Sequence, residues 1–482
     1  MALQICRRQL LRYGAGVLGA GGGLTLLAAC GGGASTSVTT SAAVPTTTAG
    51  PAAATTAAAS TAAATTVTAT SQAAASAPPS KGGTVTLMTQ TDAKQATMYQ
   101  KITAPFSAAN GGAKVNIIQG GAGSTDIQQK LLLLISANTP PDVYWTHTYI
   151  NSGLASLGIP VDVAPYMARD KAFDTSDMFA PSLADFNIGG KQYAFPRETT
   201  AIVMAYNKTL FQKAGIAEPA AAWNWQDYLT ACQKLTSGSG PTQNWGTGGW
   251  TSTAVIYPAI VRVWEKGGDI VDEQRTTYTL DQAGGVAGIQ DIADLIHKYQ
   301  VHASAAALQG TNVNDLFNTG RIAMVPTINV YGGFANAKFD WDIQAMPHDG
   351  ALTTRVASAG HSMASEGANQ DLGWSMLKLL ASKEAFQDYY DIDALPVASK
   401  SVRAAAVATN GTKSPAHIQL GIDALDYARP ERVVGNWSSV HATIASALGG
   451  VWGPENKNVQ QVLTSVGPQV TALIKAKPTA AK

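Results

Sequence analysis

Three groups of residues in this chain have types and spacings that could do chemistry. Gly360-His-Ser-Met-Ala364 resembles a nucleophile elbow centred on Ser362. An elbow lifts its serine on a sharp strand-to-helix turn, where the oxygen can attack a carbonyl. Here the last glycine is replaced by Ala364, and Ala364-Ser-Glu-Gly367 reads as a loop or short strand. A secreted serine hydrolase is therefore an alternative that the context disfavours. Metal ligation is the second chemistry. The seven histidines form no HExxH, and Cys6, Cys30 and Cys232 lie far apart without a CxxC, so neither a metal site nor a disulfide framework is expected. Asp291, Asp294 and His297 could share a helix face, but Ile289, Ile292 and Ile296 supply its buried side, which leaves the polar three in solvent. Cys232 reads as a buried thiol in a helix. The third group is aromatic. Trp145 follows a strand, Trp245 and Trp250 flank Gly246-Thr-Gly-Gly249, and Trp437 follows Asn436 in a late loop. Rings in such places suit the apolar faces of a bound molecule rather than a reacting centre. Trp223, Trp225 and Trp264 read as packing residues.

The elements that must position these residues begin after a long non-globular leader. The chain has 482 residues, 33 basic and 32 acidic, with 45% hydrophobic residues. That is enough for two or three compact units, and the balanced charge argues against nucleic acid as a partner. Residues 1–30 run from Arg7, Arg8 and Arg12 through a Gly-diluted apolar stretch to Leu27-Ala-Ala-Cys30. A charged front, apolar middle and small-residue end make a secretory signal too short and dilute for a stable span. Arg7-Arg8-Gln-Leu-Leu11 resembles a twin-arginine export signal. Leu27-Ala-Ala-Cys30-Gly31 resembles a bacterial lipobox, which implies cleavage before Cys30 and a lipid on its thiol. Residues 31–82 are nearly all Ala, Thr, Ser, Gly and Pro. Such a segment cannot offset its ordering entropy by burial and is expected to be a disordered tether.

From residue 83 the pattern alternates. Gly83 to Thr89, Lys114 to Ile118 and Asp142 to Trp145 read as strands, and Tyr99 to Ala109 and the run through Lys130-Leu-Leu-Leu-Leu-Ile135 as helices, the second with a capping box of Thr125 and Gln128. This βαβαβ order predicts a parallel sheet flanked by helices, with ligands at the carboxyl ends of strands. The loops at Thr89-Gln90, Gln119 to Ser124 and Trp145 to Tyr149 should then face a cleft. Gly120-Gly-Ala-Gly123 lacks the GxGxxG spacing and reads as a loop, so no cofactor is expected.

Gly190-Lys-Gln-Tyr-Ala-Phe-Pro196 is followed by Ile202 to Lys208, Leu210-Phe-Gln-Lys-Ala-Gly215, Pro219 and Trp223 before a helix. With Asp162 to Asp170 and Leu316-Phe-Asn-Thr-Gly320 to Met324, this order resembles family 1 extracellular solute-binding proteins, the maltose-binding-protein-like group. The resemblance covers about residues 83 to 475.

It implies an α/β, two-lobed periplasmic-binding-protein-like fold of type II, each lobe a mainly parallel sheet flanked by helices, with hinge crossovers. By position, residues 83–195 and 325–365 form the first lobe, and 196–324 and 366–482 the second. Phe195-Pro196 marks the first crossing, Ala323 to Thr327 the return, and residues 360–370 a third. Helices are expected at Asn369 to Ala381, Lys383 to Tyr390 and Val459 to Ala476. The implied activity is capture of a solute by lobe closure and delivery to the permease subunits of an ABC importer, by a monomer held by lipid on the outer face of the cytoplasmic membrane. No catalysis is implied. Candidate ligand contacts are Gln90, Trp145, Arg197, Glu198, Trp245, Trp250, Asn329, Tyr331, His361 and Trp437. This mixture of rings, amide, carboxylate and guanidinium favours a mono- or oligosaccharide. A phosphorylated polyol or a polyamine is the alternative within the binding class.

Overall fold

A computed structural model describes residues 82–476 except 91, 252–256, 305–306, 309–310, 329–333, 335 and 411–413. The leader, Cys30 and the tether lie outside the described residues.

The chain builds two sheets. Strands β1 (Thr84–Gln90), β2 (Lys114–Gly121) and β3 (Val143–His147) form the parallel core of the first, in the order β2-β1-β3. A two-stranded hairpin follows, β4 (Asn187–Ile188) with β5 (Lys191–Gln192). Then come β6 (Phe195–Ala201), β7 (Val203–Asn207), β8 (Trp245–Thr247), β9 (Ile322–Thr327), β10 (Trp341–Gln344), β11 (Thr354–Met363) and β12 (Ala428–Arg429). The long strand β11 runs antiparallel to both β3 and β6 and parallel to β12, completing the first sheet. The second sheet has the order β10-β7-β9-β8, with only β8 and β9 parallel. The antiparallel pairs in both sheets come largely from strands that enter from the other lobe.

Helices of nine residues or more are α1 (Ala93–Thr103), α2 (Ser124–Ser136), α3 (Thr148–Ser156), α4 (Trp225–Leu235), α5 (Tyr257–Glu265), α6 (Ala283–His297), α7 (Gln370–Leu380), α8 (Lys383–Asp393), α9 (Lys400–Asn410), α10 (Trp437–Trp452) and α11 (Val459–Lys475). Local chemistry explains their limits. Asn224 accepts from the Asp227 amide at 2.9 Å while the Asp227 carboxylate accepts from the Asn224 amide at 3.1 Å, which starts α4. Trp225, Tyr228, Leu229, Cys232 and Leu235 then recur at helical spacing and are buried. Helix α1 starts earlier than the expected Tyr99, because Asp92 caps it through the Gln95 amide at 2.7 Å. Pro105 divides it from a short second turn, since its nitrogen carries no hydrogen to continue the ladder. Helix α2 begins at Ser124 rather than after Thr125, with Asp126 accepting from the Gly123 amide at 3.2 Å.

Each sheet is packed on both faces. Val85 and Leu87 of β1 join Met98, Leu377, Phe386 and Tyr389 on one face of the first sheet. Met88 joins Ile127, Leu131 and Leu154 on the other. In the second sheet, Met204 and Met324 pack with α4, α5, α6, α10 and α11, while Val203, Val325 and Ile343 face a separate core.

The lobe boundaries differ from those inferred by position. Phe195-Pro196 is not the crossing, because β6 stays paired with β11 as far as Ala201. The chain crosses at Ile202, a single residue between β6 and β7. Ala323 to Thr327 lies within the second sheet, and the return runs through residues 345–353 into β11. Residues 366–410 do not join the second lobe: Leu372, Trp374, Phe386 and Val402 share a core with β1. The third passage therefore comes after α9. The reason is apolar matching: α7 and α8 each present a buried stripe that only the open face of the first sheet can cover.

Candidate functional site

The strand ends that carry function meet in a cleft between the two sheets. Its larger part encloses about 1120 Å³, lined from the first sheet by His147, Arg355 and Ala357, from the second by Thr327, and from the segments around it by residues such as Thr251, His302 and Asn312. A smaller part of about 340 Å³ shares His147, Ala357 and Ile328 and adds Glu198, Thr200, Ser358 and Asp393.

The first-lobe wall is held from behind by one cation. Arg197 is 1% exposed, and its guanidinium donates to Gln95 Oε1 and the Tyr99 hydroxyl at 2.9 Å, to Glu198 Oε1 at 3.0 Å and to Gln90 Oε1 at 3.1 Å. Gln95 in turn donates to Asp393 Oδ2 at 2.8 Å. Both carboxylates of the smaller part are thereby oriented by the same buried arginine, one directly and one through an amide. Tyr99 accepts from Arg197 and lies 2.7 Å from His361 Nε2. An arginine can only donate, so the Tyr99 hydroxyl accepts from it and keeps its own hydrogen and a second lone pair for the contact with the imidazole, whose role there depends on the tautomer. Burial, reinforced by Arg197, holds His361 well below the usual imidazole range and so neutral, and burial pushes Tyr99 up to about 12.

The floor is a second buried network. The Arg355 guanidinium lies 3.7 Å over the Tyr257 ring, and its Nε is 3.4 Å from Glu431 Oε2. Trp437 Nε1 donates to the same carboxylate oxygen at 3.0 Å. Burial alone would raise Glu431, but Arg355 and His441 outweigh it and bring the carboxyl down to about 2. Asp185, also near Arg355, is pushed up to about 7 by burial. His147 is lowered to about 3 by burial and Arg355. On the second lobe, His302 accepts from the Trp250 amide at 3.3 Å through Nε2 and lies 2.8 Å from the Ala303 carbonyl through Nδ1. Burial lowers it to about 4, so it too is neutral near pH 7.

Around the larger part, no described lining residue is Asp, Glu or Lys, and the single Arg is neutralised by Glu431. What remains is hydroxyl, amide, imidazole and apolar surface. The Tyr257 hydroxyl is buried there without a protein partner. Such a site can grip a molecule with many weak hydrogen-bonding groups, whereas a strongly charged one would lack a counter-ion.

The family model described as "Bacterial extracellular solute-binding protein" matches residues 89–385, more than half of the chain. The chain belongs to this family. As a bacterial extracellular solute-binding protein it resembles a binding protein of Brucella abortus (strain 2308), 24% identical over 310 residues that cover 62% of this chain and 71% of that one. Its fold matches the ABC substrate-binding protein from Listeria monocytogenes in complex with cycloalternan, with TM-score 0.70, 23% identity, and 81% and 98% of the two chains covered. It also matches UgpB from Mycobacterium tuberculosis in complex with glycerophosphocholine, with TM-score 0.68, 17% identity, and 81% and 98% covered. These likenesses establish the two-lobed binding-protein fold.

Within this solute-binding protein the ten candidate contacts scatter. Glu198 lines the cleft, and Gln90 and Arg197 stand behind it. His361 is buried beneath Tyr99 rather than open to the gap. Trp145 packs in the core with Met88 and Leu154, and Trp245 with Phe317 and Val325. Trp250 donates from Nε1 to the Tyr228 hydroxyl at 2.6 Å, inside the second-lobe core. Trp437 is 1% exposed and serves the floor network. None of these four rings lines the cleft, because each is large enough to be drawn into the nearest core. Asn329 and Tyr331 lie outside the described residues. His147 falls in the Trp145 to Tyr149 loop that was expected to face the cleft. Tyr257, Arg355 and Asn312 also line the cleft. Arg355 carried a signal, a lone cation entering the apolar strand Val356 to Gly360 that returns between the lobes. Ser362 lies within β11, fully buried, with no strand-to-helix turn around it.

Proposed function

We propose that the chain captures a neutral, hydroxyl-rich solute, a mono- or oligosaccharide, between its lobes and delivers it to ABC permease subunits. One observation carries this reading: among the described residues the larger part of the cleft is lined by hydroxyl, amide, imidazole and apolar groups, with no Asp, Glu or Lys, and the one arginine among them is paired with Glu431. Saccharide hydroxyls both donate and accept, so they suit such a wall, while their C–H faces suit Ile202, Ile328 and Leu308. The Listeria relative in complex with cycloalternan supports the assignment. A phosphorylated polyol, as in the glycerophosphocholine complex of UgpB, would require Arg355 to leave Glu431. A polyamine would need free carboxylates, yet Glu198 and Asp393 already accept from Arg197 and Gln95. Capture without turnover is part of the same proposal, and Ser362, buried within β11, offers no nucleophile to the cleft. Export by the leader, lipid anchoring at Cys30 and action as a monomer belong to the same proposal.

Lobe closure is the mechanism that excludes water from the bound solute. A thermal-shift series with mono-, di- and oligosaccharides, glycerophosphocholine and spermidine tests the reading, because a ligand bound only by the folded chain raises Tm. A saccharide should raise Tm and reduce the radius of gyration in solution scattering. A response confined to glycerophosphocholine or spermidine would overturn the assignment.

A further inference from the structure

All ten tryptophans of the chain lie among the described residues, and nine of them are buried. Trp452 is the exception, half-buried at the end of α10. One side of its ring packs on the second-lobe core, and the residue lines the larger part of the cleft. Burying an indole is favourable wherever a core can cover it. The one ring left partly open is therefore the one that faces the solute space.

Its neighbour on the helix points the same way. Gly449 stands three residues earlier, on the same side of α10, and also lines the cleft. A β-carbon there would meet nothing within 4 Å, so no packing inside the chain calls for glycine. Glycine weakens a helix interior. What it supplies here is bare backbone next to Trp452, where a flat ring can lie. The platform is also fixed in place. His297 Nε2 lies 2.7 Å from the Val451 carbonyl, and the Gly453 amide donates to the Gly449 carbonyl at 3.0 Å.

The platform stands far from the floor. Tyr257 lines the same space, and its ring meets that of His441 at 5.3 Å between centroids. Trp452 comes eleven residues after His441, about 16 Å further along α10. With C–C and C–O bonds near 1.5 Å, one pyranose unit advances a chain by roughly 5 Å. A single sugar at the floor does not reach Trp452, whereas three linked units span the gap. The volume agrees: about 1120 Å³ exceeds the range of about 300–1,000 Å³ that encloses one drug-sized ligand. We propose that the cleft is built for an oligosaccharide of three or more units lying along α10, with its outer unit stacked on Trp452. This rests on the saccharide reading above and adds the size of the solute and the residue that selects it.

Calorimetric titration of the exported chain with malto-, cello- and xylo-oligosaccharides of one to four units tests this. In at least one series affinity should rise about tenfold or more from the disaccharide to the trisaccharide. Trp452→Ala removes the stacking face. Gly449→Leu places a side chain in open space, where it obstructs the platform while leucine favours the helix, so its Tm should equal or exceed the parent's. Either substitution should abolish the gain from the third unit and bring di- and trisaccharide affinities within about twofold of each other. A parent chain that binds saccharides with affinity flat from one unit to four overturns the inference and leaves the saccharide reading standing. A third-unit gain that survives both substitutions also overturns it. Binding in none of the series overturns the saccharide reading and this inference together.

Discussion

At the scale of single residues, the cleft depends on groups whose charge is set by burial. Tyr257 lines the larger part of the cleft, and its hydroxyl is buried at that wall without a protein partner. Tyr257→Phe removes that oxygen and keeps the ring beneath Arg355. Saccharide affinity should fall about fivefold, equivalent to about 1 kcal/mol for one hydrogen bond, with Tm of the free chain unchanged or slightly higher. Calorimetric titration reads this directly, and equal affinities would mean that the hydroxyl does not meet the solute. Asp185 gives a pH dependence of definite sign. Its carboxyl rises from 3.8 to about 7 on folding, so the folded chain holds the proton more tightly than the unfolded one. The benefit of the neutral form is complete below about pH 4 and is lost as pH rises through 7. Asp185→Asn stays neutral throughout. Its stability relative to the parent should grow across that window, by an upper bound on the order of 4 kcal/mol. His147 and His302 act in the opposite sense, since both are lowered on folding and favour the folded chain above about pH 6.5. Comparing the Asn variant with the parent at each pH cancels them. A difference in urea midpoints that stays flat from pH 4 to 8 would refute the account of Asp185.

At the scale of elements, β11 is the piece on which both lobes depend. It pairs with β3, β6 and β12, and its residues line the cleft and anchor the floor. The Thr354 hydroxyl donates to the Ile202 carbonyl at 2.6 Å, which pins the one-residue crossing between β6 and β7. The register of β6 shifts between Ala359 and Gly360, and a β-carbon on Gly360 would overlap the Phe195 carbonyl. The obstacle is backbone, so it cannot swing away. Gly360→Ala should therefore destabilise the chain by roughly 1–3 kcal/mol, the usual range for overpacking, and weaken ligand binding because Arg197 and Glu198 sit on the displaced strand. A denaturant midpoint within error of the parent would show that β6 and β11 can separate there without cost.

At the scale of the whole molecule, the expected order is anchor, tether and two-lobed body. Methylene burial at about 0.8 kcal/mol each makes several acyl chains a firm hold on a bilayer. Cys30→Ser should therefore release the chain from the membrane fraction into the medium or periplasm, with solute affinity unchanged because the body is untouched. Retention on the membrane after that substitution would exclude Cys30 as the anchor.

The local order of strands and helices was legible in the sequence because it rests on neighbours: periodicity of apolar residues, Asn and Asp caps, and Gly or Pro stops. Strands β1 to β3 and helices α7, α8 and α11 fall within a few residues of their expected limits. The order of motifs from Gly190 to Met324 likewise pointed to the family that the match over residues 89–385 establishes. Tertiary structure alone decided which large side chains face the gap. A tryptophan at a strand end can turn into a core or toward solvent, and the choice depends on which helix covers that face. Trp145, Trp245, Trp250 and Trp437 all turned inward because burying an aromatic ring outweighs leaving it in water. Tyr257 and Asn312 reached the cleft through long-range packing, and nothing within a few residues of either encodes that meeting, whereas Arg355 was marked only as a lone cation entering an apolar strand.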